Sequence, residues 1–234
     1  MPTFSIIGED DPFLHASLAQ GESIWCESDA MVMMEANLDL TGRMQGGVMQ
    51  SLFRRLTNGE SFFQQCIKAE RGPGDCLLSP TLPGAVQILD VGTRQYCLAD
   101  GAYVAATSTV QVTARMQSIG NALFAGSGGF FIGETSGTGQ LVVSGFGSVF
   151  TLDVVPGKEI VIDNGHVVAW DRTLQYRISA STNQSSGMLG NLVNSMTSGE
   201  GMVLRFSGQG KVVVCSRNRG SFVTWLASKI SPRS

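Results

Sequence analysis

A chain of 234 residues, 43% hydrophobic and only 15% charged, suits one large all-β domain and is too apolar for general disorder. Its net charge is −3, and its 16 Lys and Arg are scattered singly or in short pairs such as Arg54-Arg55. No basic stripe results, which argues against a nucleic-acid binder.

The N-terminal stretch MPTFSIIGEDDPF lacks the basic and apolar regions of a signal peptide. No run of residues reaches the length of a transmembrane helix. The expectation is therefore a cytoplasmic protein. Glu9, Asp10 and Asp11 read as a solvated loop. GESIWCESDAMVMM (21–34) reads as two strands about a turn at Ser28-Asp29. Its MVMME segment (31–35) reads first as core packing and second as a subunit interface, because methionine fills gaps and adapts to contacts. MQSLFRRL (49–56) places Met49, Leu52, Phe53 and Leu56 on one face of a short helix.

GPGDCLLS (72–79) is a Gly-x-Gly corner running into an apolar strand. GAVQILDVGTRQYCLADGAYVAA (84–106) reads as three strands, with Asp100-Gly101 as a hairpin turn. The corner recurs in GTGQLVVS (137–144), and the strand-turn-strand pattern recurs in GSVFTLDVVPGKEIVIDNGHVVAW (147–170), now with Asn164-Gly165. STNQSSGMLGNLVNSMTSG (181–199) reads as a polar linker. GQGKVVVCS (208–216) repeats the corner a third time, and SFVTWLASKI (221–230) reads as a second short helix with Phe222, Trp225 and Leu226 on one face.

The three corners begin at Gly72, Gly137 and Gly208, spaced 65 and 71 residues apart (137 − 72 and 208 − 137). Upstream of each, NGESFF (58–63), GSGGFF (126–131) and SGEGMVL (198–204) place a glycine turn before an apolar strand. The third copy lacks a downstream half, and 21–34 aligns with 157–170 at an offset of 136 (157 − 21). The reading is a single domain, 1–234, of three β units. Their expected bounds are about 41–113, 114–180 and 186–234, the last completed by 1–40. Closure of this kind leaves no free sheet ends.

Tests for chemistry find no site. His15 and His166 are the two histidines, far apart, and they cannot make the two- or three-histidine set of a cupin metal centre. A hydrolase elbow, Gly-x-Ser-x-Gly, is absent. Asp90 and Asp153 occupy equivalent places and read as turn-holding side chains. GQGKVVV lacks the hydroxyl residue and following helix of a phosphate loop. Lys211 there aligns with Gln140 and Asp75, so it reads as an ordinary solvent-facing residue. Cys26, Cys66, Cys76, Cys97 and Cys215 have no Cys-x-x-Cys spacing and read as buried thiols in a reducing compartment.

NGESFF, LPGAVQILDV, SGTGQLVVSGFGSVFTLDV, IVIDNGHVVAW and GEGMVLRFSGQGKVVVCSRN resemble the altered-inheritance-of-mitochondria (mitochondrial biogenesis) family over about 21–225. The resemblance implies a bacterial-type member with a closed, double-stranded β-helix-like fold akin to the trp RNA-binding attenuation protein. It also implies that no enzymatic activity is established and supplies no catalytic residue to map here; the expectation is a protein that is not an enzyme and holds no metal or cofactor. The function expected is a non-catalytic homo-oligomeric scaffold that contacts a protein or membrane partner. The alternative is a small-molecule or RNA binder, with nucleic acid disfavoured by charge.

Overall fold

The computed structural model describes residues 1–44, 63–117, 130–180 and 202–230. The expected helix at 49–56 and the whole of the 181–199 linker lie outside them. The described chain is all-β apart from one C-terminal helix and a short 3-10 turn.

Alternating burial explains many of the strands. GDCLL of β7, for example, buries every second residue, as a strand with one face on a core must. After β1 (Thr3–Ile7), the strands fall into three successive groups of six. The first holds β2 (Phe13–Leu18), β3 (Ser23–Glu27), β4 (Met31–Met34), β5 (Asp39–Met44), β6 (Phe63–Lys68) and β7 (Gly74–Leu78). The second holds β8 (Gly84–Val91), β9 (Tyr96–Leu98), β10 (Tyr103–Thr107), β11 (Val110–Gln117), β12 (Phe130–Gly137) and β13 (Gly139–Phe146). The third holds β14 (Val149–Val154), β15 (Ile160–Asp163), β16 (Val167–Asp171), β17 (Gln175–Ala180), β18 (Met202–Ser207) and β19 (Gly210–Cys215), followed by helix α1 (Arg219–Ile230).

These strands build four antiparallel sheets: β1-β2-β7-β4, then β5-β6-β3-β10-β13-β8, then β11-β12-β9-β16-β19-β14, then β15-β18-β17. One local order occurs in each group. The second, fourth and fifth strands form one triplet; the first, third and sixth form another, with the first strand paired to the last. Each of the two six-stranded sheets joins a triplet of one group to a triplet of the next. A β-bulge falls at the same place in every third strand, at Val32, Val104 and Val168.

Three apolar clusters fill the interior. Leu14, Ile24, Ile67 and Leu78 centre the first, and Leu98, Val110, Leu141 and Val213 the second. Trp170, Leu204, Phe206 and Val212 centre the third. Strands β10 and β16 are buried at every position because each lies between two other strands and between layers.

Two expectations are corrected by the pairings. Asp100-Gly101 and Asn164-Gly165 do not turn hairpins. β9 and β10 lie in different sheets, as do β15 and β16, and both edges of β9 and β10 are taken by other strands. Gly101 takes a φ of +72° as the chain changes sheet, while Asn164–His166 forms a 3-10 turn. Second, 21–34 does not complete the third group: β3 pairs with β6 and β10, and β4 with β7. The missing half of the third group is its own β14 to β16, which precede the corner instead of following it. The strand groups therefore span 13–78, 84–146 and 149–215, half a unit out of phase with the expected bounds. The helix expected at about 221–230 is present as α1, Arg219–Ile230.

Candidate interaction surface

The end of the third group carries α1 on a small, defined seat. Asn218 caps it: its Oδ1 accepts from Ser221 N at 3.0 Å, and its Nδ2 donates to Asp163 Oδ1 at 3.2 Å. Such a cap satisfies one of the orphan amides of the first turn. Asp163 also accepts from Gly165 N at 2.8 Å, so one carboxylate holds both the 3-10 turn and the helix start. Phe222 meets Phe146 edge to face with ring centroids 5.2 Å apart. The Arg217 guanidinium lies 5.8 Å from the centre of the same Phe146 ring.

Beyond that first turn the helix stands in solvent. None of its residues is buried; Trp225 is 56% and Ile230 68% exposed, and Val223 and Leu226 are exposed beside them. Phe222 stacks on Trp225 at 6.0 Å, which joins the two rings into one apolar patch. The sequence pattern placed Phe222, Trp225 and Leu226 on one face, and the structure adds that this face covers little of the core.

Arg219, the first helical residue, lies against the Gly101 corner. It acts on Glu27, the last residue of β3. Burial pushes the Glu27 carboxyl up to about 7, Arg219 pulls against that shift, and Asp100 and Asp29 add to it. Thus Glu27, Asp29, Asp100 and Arg219 bring the corners of the first two groups and the helix start into one electrostatic neighbourhood. Sequence reasoning singled out none of Glu27, Asp163, Asn218 or Arg219 as a functional residue. Asn218 three residues before Ser221 was the available signal for the cap.

The residues weighed for chemistry are dispersed. His15 Nδ1 lies 3.3 Å from Ser5 Oγ and its Nε2 lies 3.5 Å from Asp75 Oδ1, whereas His166 Nδ1 lies 2.8 Å from the Cys215 carbonyl oxygen. Lys211 donates to Asp153 at 2.9 Å and Gln140 to Asp90 at 3.3 Å. Asp75, Gln140 and Lys211 do stand at matching positions, opposite Ser17, Asp90 and Asp153. The two aspartates accordingly hold cross-strand pairs and not turns, and Lys211 is an ion-pair partner. All five cysteines are free thiols; Cys26, Cys76 and Cys97 are buried, and burial pushes Cys26 and Cys76 up to about 12. Asp10 and Asp11 are exposed, as is Glu9. Among the described residues, no three His, Cys, Asp or Glu group to hold a metal ion. No helix of the described residues is long and apolar enough to cross a membrane.

Residues 4–217 match the family described as mitochondrial biogenesis AIM24. The chain belongs to that family. An uncharacterized protein of Streptococcus pyogenes serotype M6 is 33% identical over 223 residues, covering 92% of this chain and 85% of that one. The X-ray crystal structure of a Streptococcus pyogenes structural-genomics target superposes with a TM-score of 0.80 at 30% identity, covering 98% of this chain and 100% of that one. The AIM24 match ends at residue 217, just before α1 begins at Arg219.

Proposed function

We propose that this AIM24-family chain is a non-catalytic scaffold that assembles with copies of itself and presents α1 to a protein partner. In this reading the three strand groups are copies of one unit, each wound as a short double-stranded β-helix of the attenuation-protein type. The observation that carries the reading is α1 itself: Phe222, Val223, Trp225, Leu226 and Ile230 are all exposed on a helix fixed at its first turn. Aromatic and aliphatic side chains grouped on a held element are what a partner's pocket receives. A protein is favoured over a lipid surface because α1 carries only Arg219 and Lys229 as charges, too few for the basic face of an interfacial helix. The net charge of −3 works against RNA.

The test is affinity capture from the native cell with the full chain and with a Trp225→Ala, Leu226→Ala variant, alongside sedimentation with phosphatidylglycerol vesicles. A partner retained by the parent chain and lost by the variant supports the reading. Capture unaffected by the variant, or vesicle binding that depends on the same two residues, overturns the protein-partner assignment.

A further inference from the structure

Two sheets end in edges that match each other. The first sheet stops at β4 and the fourth stops at β15. In the two six-stranded sheets, the strands at those same positions meet: β10 lies on β3, and β16 lies on β9. Both joints use one register. Ala105 faces Cys26 and Ala106 faces Trp25 in one; Ala169 faces Leu98 and Trp170 faces Cys97 in the other.

The shared bulge fixes which residues correspond. Val32 of β4 stands where Val104 and Val168 stand, and Met33 where Ala105 and Ala169 stand. The corners likewise align Val161 of β15 with Trp25 and Cys97, and Ile162 with Cys26 and Leu98. At the formed joints Val104 is 0%, Val168 2% and Cys97 3% exposed. At the two ends Val32 is 53%, Met33 41% and Val161 48% exposed. Among the described residues no strand pairs with the outer side of β4 or β15. An apolar edge of unpaired backbone groups is a template for another strand.

We propose that β15 of one copy of the chain adds to β4 of a second copy, in the register of the two internal joints. Met33 then faces Ile162, Met34 faces Val161 and Glu35 faces Ile160. Main-chain hydrogen bonds follow the same template. Ala99 N donates to the Val168 carbonyl at 2.9 Å and Arg172 N to the Gln95 carbonyl at 2.8 Å in the β9–β16 joint. Their counterparts run from Asp163 N to Val32 O and from Ala36 N to Glu159 O. The joint is heterologous, so copies add head to tail and either close a ring or extend. Met31, Met33 and Met34 give the receiving edge side chains able to repack against a newcomer. This inference rests on the self-assembly reading above and names the surface that performs it.

The test uses the full chain with Val32→Lys, with Val161→Lys and with the two variants mixed, followed by sedimentation velocity over a wide concentration range. The parent chain is expected to form species larger than a monomer. Each variant alone, one edge now carrying a charge that pairing would bury, should associate more than about tenfold more weakly. The mixture should recover a dimer and nothing larger, because each variant keeps one intact edge. A second measurement does not depend on the lysines: chains carrying Met34→Cys mixed with chains carrying Val161→Cys should oxidise to a cross-linked pair, read by peptide mass spectrometry. A strictly monomeric parent chain overturns this joint and the self-assembly reading together. Association untouched by either lysine, with no Met34→Cys to Val161→Cys cross-link, overturns the joint alone and leaves assembly to another face.

Discussion

Replacing Glu27 by Gln should change how stability depends on pH. Glu27 ends β3 at the corner shared with Asp29, Asp100 and Arg219. Its carboxyl moves from the ordinary 4.5 to about 7, chiefly through burial, against the pull of Arg219. The native chain therefore holds this proton more tightly than the unfolded chain does. Stability falls as pH rises from 4.5 to about 7, and the full penalty is present above that range. At about 1.36 kcal/mol per pH unit the separation corresponds to roughly 3 kcal/mol. The side chain is partly solvent-accessible, and screening reduces the figure to about 1–2 kcal/mol. Urea denaturation at about pH 5 and about pH 8 measures it. The parent chain should lose about 1–2 kcal/mol over that span relative to Glu27→Gln, which should be the more stable of the two at the higher pH. Parallel pH profiles for the two proteins would refute the reasoning, and so would a parent chain that gains on the variant as pH rises.

Two further outcomes follow from local contacts. Trp170 is fully buried and meets Tyr176 and Phe206 edge to face at 5.2 and 5.7 Å, so Trp170→Ala should cost about 3–5 kcal/mol in urea denaturation. Trp170→Phe should cost clearly less, because a ring still fills most of the space and the Nε1 it removes has no acceptor among the described residues. Asn218→Ala removes the α1 cap and should cost the helix about 1 kcal/mol. Hydrogen exchange should then quicken in the amides of 219–230 and leave those of β16 and β19 unchanged.

Some of this architecture is legible in the residues and some is not. The Gly-x-Gly corners are legible because the backbone demands them. Gly137 takes a φ of +90°, and a side chain there would run into the Thr109 carbonyl. The alignment of Asp75, Gln140 and Lys211 is also legible, since all three follow the corner at one offset. Strand partners are not. Asp100-Gly101 carries a strong turn signal, yet a turn fixes only the local path, and here it moves the chain from one sheet to another. The phase of the repeat failed for the same reason. Similar halves at 21–34 and 157–170 show likeness, and likeness does not say which strands share hydrogen bonds. For α1, helical spacing puts Phe222, Trp225 and Leu226 on one face but does not say what covers that face. Only the position of the helix, held by Asn218 and Phe146 at one end, leaves that face uncovered.

The pairing of each group's first strand with its last bears on how the chain acquires its structure. β2 waits for β7, β8 for β13 and β14 for β19, so each closure spans about 60 residues of sequence. During synthesis, no group can complete itself until its sixth strand has left the ribosome. The nascent chain should therefore consolidate in three steps, N-terminal group first, each new group adding its strands to the edge that the previous one left exposed. A chain that ends near residue 80 and has been released from the ribosome would carry a finished first group with β3 still waiting for β10.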